Sequence, residues 1–203
     1  MEGATARVER LTQEAREAVV DVLCASFSGY PVMQFVLGPE EGQEERRRSL
    51  IGFFTDVRFA MEWPVLGVMA GERLVAAALI NEPHDRSFLE RFREGLARVR
   101  QELGEAAFTR LERFEKASEG NEPPARHYFV GMLGVLPSEQ GRGHARVLLE
   151  HVRQLSKDAG CAGVALSTED AENLPFYEHM GFEIVGQASV DDLSTWSLWW
   201  PLG

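Results

Sequence analysis

The residues of this chain best suited to chemistry lie between 133 and 146, where Leu133-Gly134-Val135 leads through a proline into Gln140-Gly141-Arg142-Gly143-His144-Ala145-Arg146. An apolar run ends, glycines follow, and a helical pattern begins at once. The first turn of a helix carries backbone N–H groups without internal partners and the positive end of the helix dipole, so a loop with little side-chain bulk lets an anion such as a pyrophosphate approach. Gly141 and Gly143 provide that access. A pair of glycines before a helix reads equally well as an ordinary strand-to-helix turn. On these residues alone both readings stand.

Strands and helices must position this loop, and the hydrophobic pattern shows where they lie. Residues 6–10 read as a strand, and Thr12 can cap a helix to about 27, with Val19, Val20, Leu23 and Phe27 on one face. Gly38, Pro39 and Gly42 mark a loop before a helix over 44–61, which Trp63-Pro64 terminates. Residues 65–70 and 73–80 form a hairpin about Gly71-Glu72, giving the order βααββ. From 85 to 118, Phe88, Phe92, Leu96, Val99 and Leu103, then Leu111 and Phe114, recur at helical spacing; this predicts a helical hairpin broken near Gly104 and closed by 121–124. A strand over 127–135, a helix over 143–159, a strand over 161–166, a short helix over 171–179 and strands over 182–190 and 195–200 complete the chain. The fold class is α/β in the α+β sense. About seven strands form a mixed, mostly antiparallel sheet with flanking helices and a helical insertion at about 85–118 between the third and fourth strands.

At 203 residues with 44% hydrophobic content, the chain can bury a full core, and one domain spanning 1–203 is expected. The start MEGATARVER lacks the apolar stretch of a signal peptide and no apolar run is long enough for a membrane span, so a soluble, cytoplasmic protein without a membrane partner is expected. Cys24 and Cys161 are far apart and belong to no metal-binding spacing, so no metal is expected. A net charge of -11 repels a phosphate backbone, which argues against nucleic acid as a partner.

Two stretches together resemble a known family. Gln140 to Ala145 resembles the Q/R-x-x-G-x-G/A signature of the GNAT acetyltransferase superfamily, and Asn173-Leu174-Pro175-Phe176-Tyr177 with Gly181-Phe182 resembles that family's downstream segment. The resemblance covers roughly residues 126–187. Spacing around 127–135 is loosely similar to the puromycin-acetyltransferase-like branch. The resemblance implies the GNAT fold and acetyl-CoA as cofactor. Its arm would run along Leu133, Gly134 and Val135, its pyrophosphate would lie on the amides of Gly141 to Arg146, and Arg142 and Arg146 would add charge. Asn173 and Phe176 would contact the arm, although Asn173 also suits a helix N-cap.

By the same resemblance, an amine attacks the thioester directly in a ternary complex, with the oxyanion near a backbone N–H of the 133–135 strand and Tyr177 protonating the leaving thiolate. The acceptor implied is a primary amine of a small molecule. A catalytically degenerate acetyl-CoA sensor and a protein lysine or N-terminal acetyltransferase are the alternatives. Many relatives carry a glutamate at the end of the strand before the Asn segment, where this chain has Ser167 and Thr168, with acids following at Glu169 and Asp170. Glu82, Glu169, Asp170, His127 and a water relay are therefore all open for the general base. The insertion is placed to form a lid over the acceptor. The sequence leaves the oligomeric state open, although Trp196, Trp199 and Trp200 could supply a contact surface for a homodimer.

Overall fold

Two strands with continuous apolar interiors build the centre of the molecule: β2 (Val65–Ala70) and β3 (Arg73–Asn81), buried along most of their length. Strands with this composition must be covered on both faces. The computed structural model describes residues 7–83, 92–121, 123 and 125–203. The remaining elements are β1 (Arg7–Arg10), α1 (Arg16–Ser26), α2 (Pro31–Leu37), α3 (Gln43–Ala60), α4 (Arg93–Leu103), α5 (Glu105–Ser118), β4 (His127–Val135), α6 (His144–Asp158), β5 (Gly163–Thr168), α7 (Leu174–Met180), β6 (Glu183–Val190) and β7 (Leu193–Pro201). They form a seven-stranded sheet in the order β1-β2-β3-β4-β5-β7-β6. Every neighbouring pair is antiparallel except β4 and β5. A parallel pair needs a crossover, and α6 supplies it.

The sheet separates two apolar clusters. One joins α1 through α5 to residues such as Leu79 and Met132; the other joins α6 to Val75, Val164 and Leu198. Leu148, Leu149 and Val152 of α6 have no exposed surface. Truncating either leucine to alanine would cost about 2–5 kcal/mol. That packing fixes the start of α6 against the end of β4.

The expected mixed, mostly antiparallel sheet of seven strands is observed, with elements close to their predicted bounds. One helix was not expected. α2 interrupts the predicted loop, starting on Pro31 at its first turn and burying Met33, Val36 and Leu37 before Gly38 ends it at φ 66°. The order is therefore β followed by three helices and two strands, not βααββ. Thr12 makes no side-chain cap, because a short 3-10 turn at Gln13–Ala15 precedes α1. β5 begins at Gly163 instead of Cys161 and runs on to Thr168, where β7 continues to pair with it. The insertion breaks at Gly104 as expected, at φ 79°, between α4 and α5. Its predicted start at Asp85, the anchor Phe88, Ala6 of the first strand and positions 122 and 124 of the closing segment lie outside the described residues.

The three tryptophans do not share a surface. β7 lies between β5 and β6, so successive side chains alternate between the sheet's two faces. Trp200 is 9% exposed, packs on Phe182 and has the Arg153 guanidinium 4.8 Å from its ring, whereas Trp199 meets His127. Cys24 and Cys161 are buried thiols.

Candidate active site

β4 has nine residues, but only His127 to Val130 pair with β5, opposite Gly163 to Leu166. From Gly131 onward β4 pairs with β3 alone, while Ser167 and Thr168 pair with β7 alone. The two parallel strands thus part. Against β3 the register skips at the same place, with Leu79 opposite Met132 and Ile80 opposite Val130, so Gly131 is a bulge that bends the strand where the gap opens. A Cβ on Gly134 would lie 2.7 Å from Ser26 Oγ, so only glycine lets α1 pack this closely on β4. Leu133, Gly134 and Val135 therefore present a backbone edge without a strand partner to the gap.

The glycine loop closes one end of that gap. Gly141 and Gly143 have φ of 74° and 83°, and a Cβ built on either meets no atom within 4 Å. Gly143 is the N-cap of α6 with no side-chain cap, and the first amide paired back is that of Val147, which donates to Gly143 O at 3.1 Å. Earlier amides in the turn are left for a ligand. An open cradle at a helix N-terminus, with Arg146 on its rim, fits a pyrophosphate. Gln140 ties the loop to β4 through a long contact from Nε2 to Val135 O, 3.5 Å. Two predicted residues point elsewhere. Arg142 pairs with Glu139 at 3.0 Å, and His144 is turned into the protein, 8% exposed, with Glu139 at 3.9 Å. Ala145 lines the cleft.

Across the gap lies a cluster of hydroxyls and carboxylates. The Tyr30 hydroxyl accepts from the Glu169 N–H at 3.2 Å and shares a hydrogen bond of 2.9 Å with Thr168 Oγ1. Burial and the Glu169 charge push its pKa up to about 12. Glu169 is 9% exposed, and its Oε1 accepts from Thr195 Oγ1 at 2.8 Å. Burial raises the Glu169 carboxyl above its usual range, partly countered by the Thr195 and Ser167 hydroxyls. Asn173 Nδ2 reaches Thr168 Oγ1 at 3.4 Å and does not cap α7; the side-chain cap nearby is Asp170, which accepts from Glu172 N–H at 3.0 Å. Tyr177 is held edge-on between Phe176 and Phe182, with ring centroids 5.3 and 5.6 Å away. Burial, then Tyr30 and Glu169, raise its pKa.

These groups share one cleft of about 1970 Å³. Tyr177, Glu169, Asn173 and Phe176 line it together with Leu133 to Val135 and the glycine loop. Glu82, just beyond β3, and His127 line it as well. His127 Nδ1 lies 2.6 Å from Ala125 O, which fixes that nitrogen as the protonated one if the contact is a hydrogen bond. α5 of the insertion contributes Phe108, Leu111 and Phe114 to the wall. Sequence reasoning missed Tyr30, Thr195 and Arg58. Tyr30 stands 138 residues from Thr168, and no local pattern relates the two. The only signal was a tyrosine beside a proline.

Residues 95–184 match the family model described as an acetyltransferase (GNAT) domain. The whole chain also superposes on solved structures of that fold. One, titled as histone acetyltransferase HPA2 and related acetyltransferase from Corynebacterium glutamicum, has a TM-score of 0.74 at 20% identity, covering 98% of this chain and 97% of that one. A polyamine N-acetyltransferase of Drosophila melanogaster, described as forming N-acetylagmatine, has a TM-score of 0.65 at 18% identity over 97% of this chain and 100% of its own. A mutant agmatine N-acetyltransferase matches at 0.60 and 16% identity, over 97% and 98%. At these identities the superpositions speak for the shared fold.

Proposed function

We propose that this chain is an acyl-CoA-dependent N-acetyltransferase of the GNAT superfamily and transfers an acetyl group from acetyl-CoA to the primary amine of a small molecule in a ternary complex. The observation that carries this reading is the parting of β4 from β5, which opens within one cleft onto the glycine cradle at the start of α6. When bound, acetyl-CoA would supply an acetyl group activated as a thioester.

The chain's own residues divide the remaining tasks. Amides of residues 141–146 and the Arg146 side chain would hold the pyrophosphate, while the open edge of Leu133 to Val135, with Asn173 and Phe176, would orient the arm. A backbone N–H on that edge is placed to hydrogen-bond the acyl oxygen as it gains charge. An alkylammonium of pKa about 10.4 must lose its proton before attack, at a cost of about 4.6 kcal/mol at pH 7. Glu169 takes up that proton through water; its raised pKa makes it a stronger base than an exposed glutamate. Glu82 lies on the same cleft as a second acceptor. Tyr177, on the same cleft, would be the residue to supply a proton to the leaving thiolate. Phe108, Leu111 and Phe114 of α5 wall the cleft, and the polyamine and agmatine enzymes of the same fold support a small amine as acceptor.

Thiol release measured with acetyl-CoA against a panel of primary amines and lysine-containing peptides tests the reading. Turnover with small amines and little with peptides is the expected result. Calorimetry that shows no acetyl-CoA binding at millimolar concentration would overturn it.

A further inference from the structure

On the last turn of α3, Arg58 is 8% exposed and lines the cleft. Its Nη1 donates to Phe54 O at 3.1 Å and its Nη2 to Asn81 Oδ1 at 2.7 Å; Nε has no partner. A guanidinium has five N–H groups, so most of this fork is unused. Among the described residues no carboxylate lies within ion-pair distance of it. Arg16, by contrast, has Asp56 at 2.6 Å and Arg110 has Glu40 at 2.9 Å. Burial lowers the Arg58 pKa to about 10, which still leaves the group charged at neutral pH. The Phe54 ring lies 5.7 Å from the guanidinium but supplies no counter-ion, and the ordinary resolution of a buried charge is a hydrogen-bonded counter-ion.

The position of this charge shows where a counter-ion would sit. A Cβ on Gly131 would lie 2.6 Å from Arg58 Nη2, so the guanidinium rests against the bulge at which β4 and β5 part, and Gly131 itself is exposed to the cleft. Glycine at 131 keeps this approach clear. Arg58 thus sits on the side of the sheet covered by α1 to α5, away from the glycine loop, and its surroundings include Phe53, Phe54 and Asn81. Glu82 and Glu169 border the same cleft, so it offers a buried cation and carboxylates to a single ligand.

We propose that Arg58 receives a carboxylate carried by the acceptor amine, so that the acceptor is an amino acid or a similar amino-carboxylate. This rests on the acetyl-transfer reading above. A planar fork suits a carboxylate, which can take two parallel N–H bonds, and the ammonium of the same molecule is drawn to the glutamates.

The test compares amines that differ only by a carboxylate: arginine with agmatine, lysine with cadaverine, and phenylalanine with phenethylamine. Wild-type kcat/KM is expected to be at least about tenfold higher for the carboxylate member, and Arg58→Met to lower it by about ten- to a hundredfold for that member, the range of a charge-assisted hydrogen bond. The decarboxylated member should change by less than about threefold, because it makes no such bond. Arg58→Lys, which keeps the charge without the fork, should recover part of the loss. Equal losses for both members, or a wild-type preference for the decarboxylated amines, would overturn the proposal, and the wild-type ratio stands even if a variant at 58 fails to fold. Calorimetry of N-acetylarginine against N-acetylagmatine, with coenzyme A present, reads the same site without turnover. If no amine of either kind is acetylated, the transfer reading fails, while tighter binding of N-acetylarginine still supports the carboxylate site and equal binding refutes it.

Discussion

Replacing Tyr177 with phenylalanine isolates one hydroxyl. The ring keeps its contacts with Phe176 and Phe182, and among the described residues the hydroxyl has no hydrogen-bond partner that its removal would orphan. Stability should therefore change by no more than about 0.5 kcal/mol, or roughly 1–2 °C in Tm. The catalytic effect is limited by proton arithmetic. A phenol of ordinary pKa about 10 gives its proton to a thiolate of about 8.5 only at a cost of about 2 kcal/mol. In this site, burial and the nearby Tyr30 and Glu169 make Tyr177 a weaker acid still. Positioned acid catalysis is commonly worth about a hundred- to ten-thousandfold, so this residue belongs at the lower end, with a loss of roughly ten- to a few hundredfold in kcat. Because Tyr177 stays protonated well above neutral pH, the ratio of wild-type to variant rates should be flat from about pH 6 to 9. Single-turnover thiol release at saturating acetyl-CoA measures this under chemistry-limited conditions. An unchanged rate would make Tyr177 a packing residue, with water protonating the thiolate. A loss beyond about ten-thousandfold would refute the arithmetic.

Gly143→Val adds a side chain that meets no protein atom but sits at φ 83°, a cost of about 1–2 kcal/mol; acetyl-CoA affinity measured by calorimetry should fall by much more than tenfold, because the Val side chain occupies the anion's approach. Tyr30→Phe removes the hydroxyl that joins Thr168 to the Glu169 amide. It should cost about 1–2 kcal/mol, or about 2–8 °C in Tm, and lower kcat/KM for the acceptor. Glu169→Gln should reduce turnover and also change the pH dependence of stability. Burial raises the Glu169 pKa, so the contribution of its neutral form to stability is full below the unfolded value of about 4.3 and is lost as pH rises through the folded value. The glutamine variant, free of that loss, should melt above wild type at neutral pH and converge with it in acid; a difference independent of pH would show that burial does not govern this carboxyl.

Much of the molecule was legible in the order of residues, because local physics determines it. Helix α6 could be placed from Leu148, Val152 and Leu155 at helical spacing, and the β2–β3 hairpin from two apolar runs around Gly71-Glu72. Gly141 and Gly143 marked a tight glycine turn into a helix start, because their conformational freedom and the adjoining helix start are both local properties. Even α2 had a signal, Pro31 at its start and Gly38 past its end, obscured by a neighbourhood rich in loop residues.

Distances across the sheet were not legible. Whether β4 stays paired with β5 depends on the bulge at Gly131 and on which strands hold each partner, and neither is a property of a single segment. Glu169 looked like a surface acid after a strand; Tyr30 and Thr195, brought to it from other elements, make it a buried and hydrogen-bonded one. Arg58 carries no local signal that sets it apart from the other arginines of α3, and packing withdraws it from water without a carboxylate. Sequence alone thus specified the elements and the glycine loop, where each decision involves a few neighbouring residues. Desolvation and the pairing of charges sum over the whole surroundings of a group, so only the tertiary structure decided which polar side chains are buried together along the cleft.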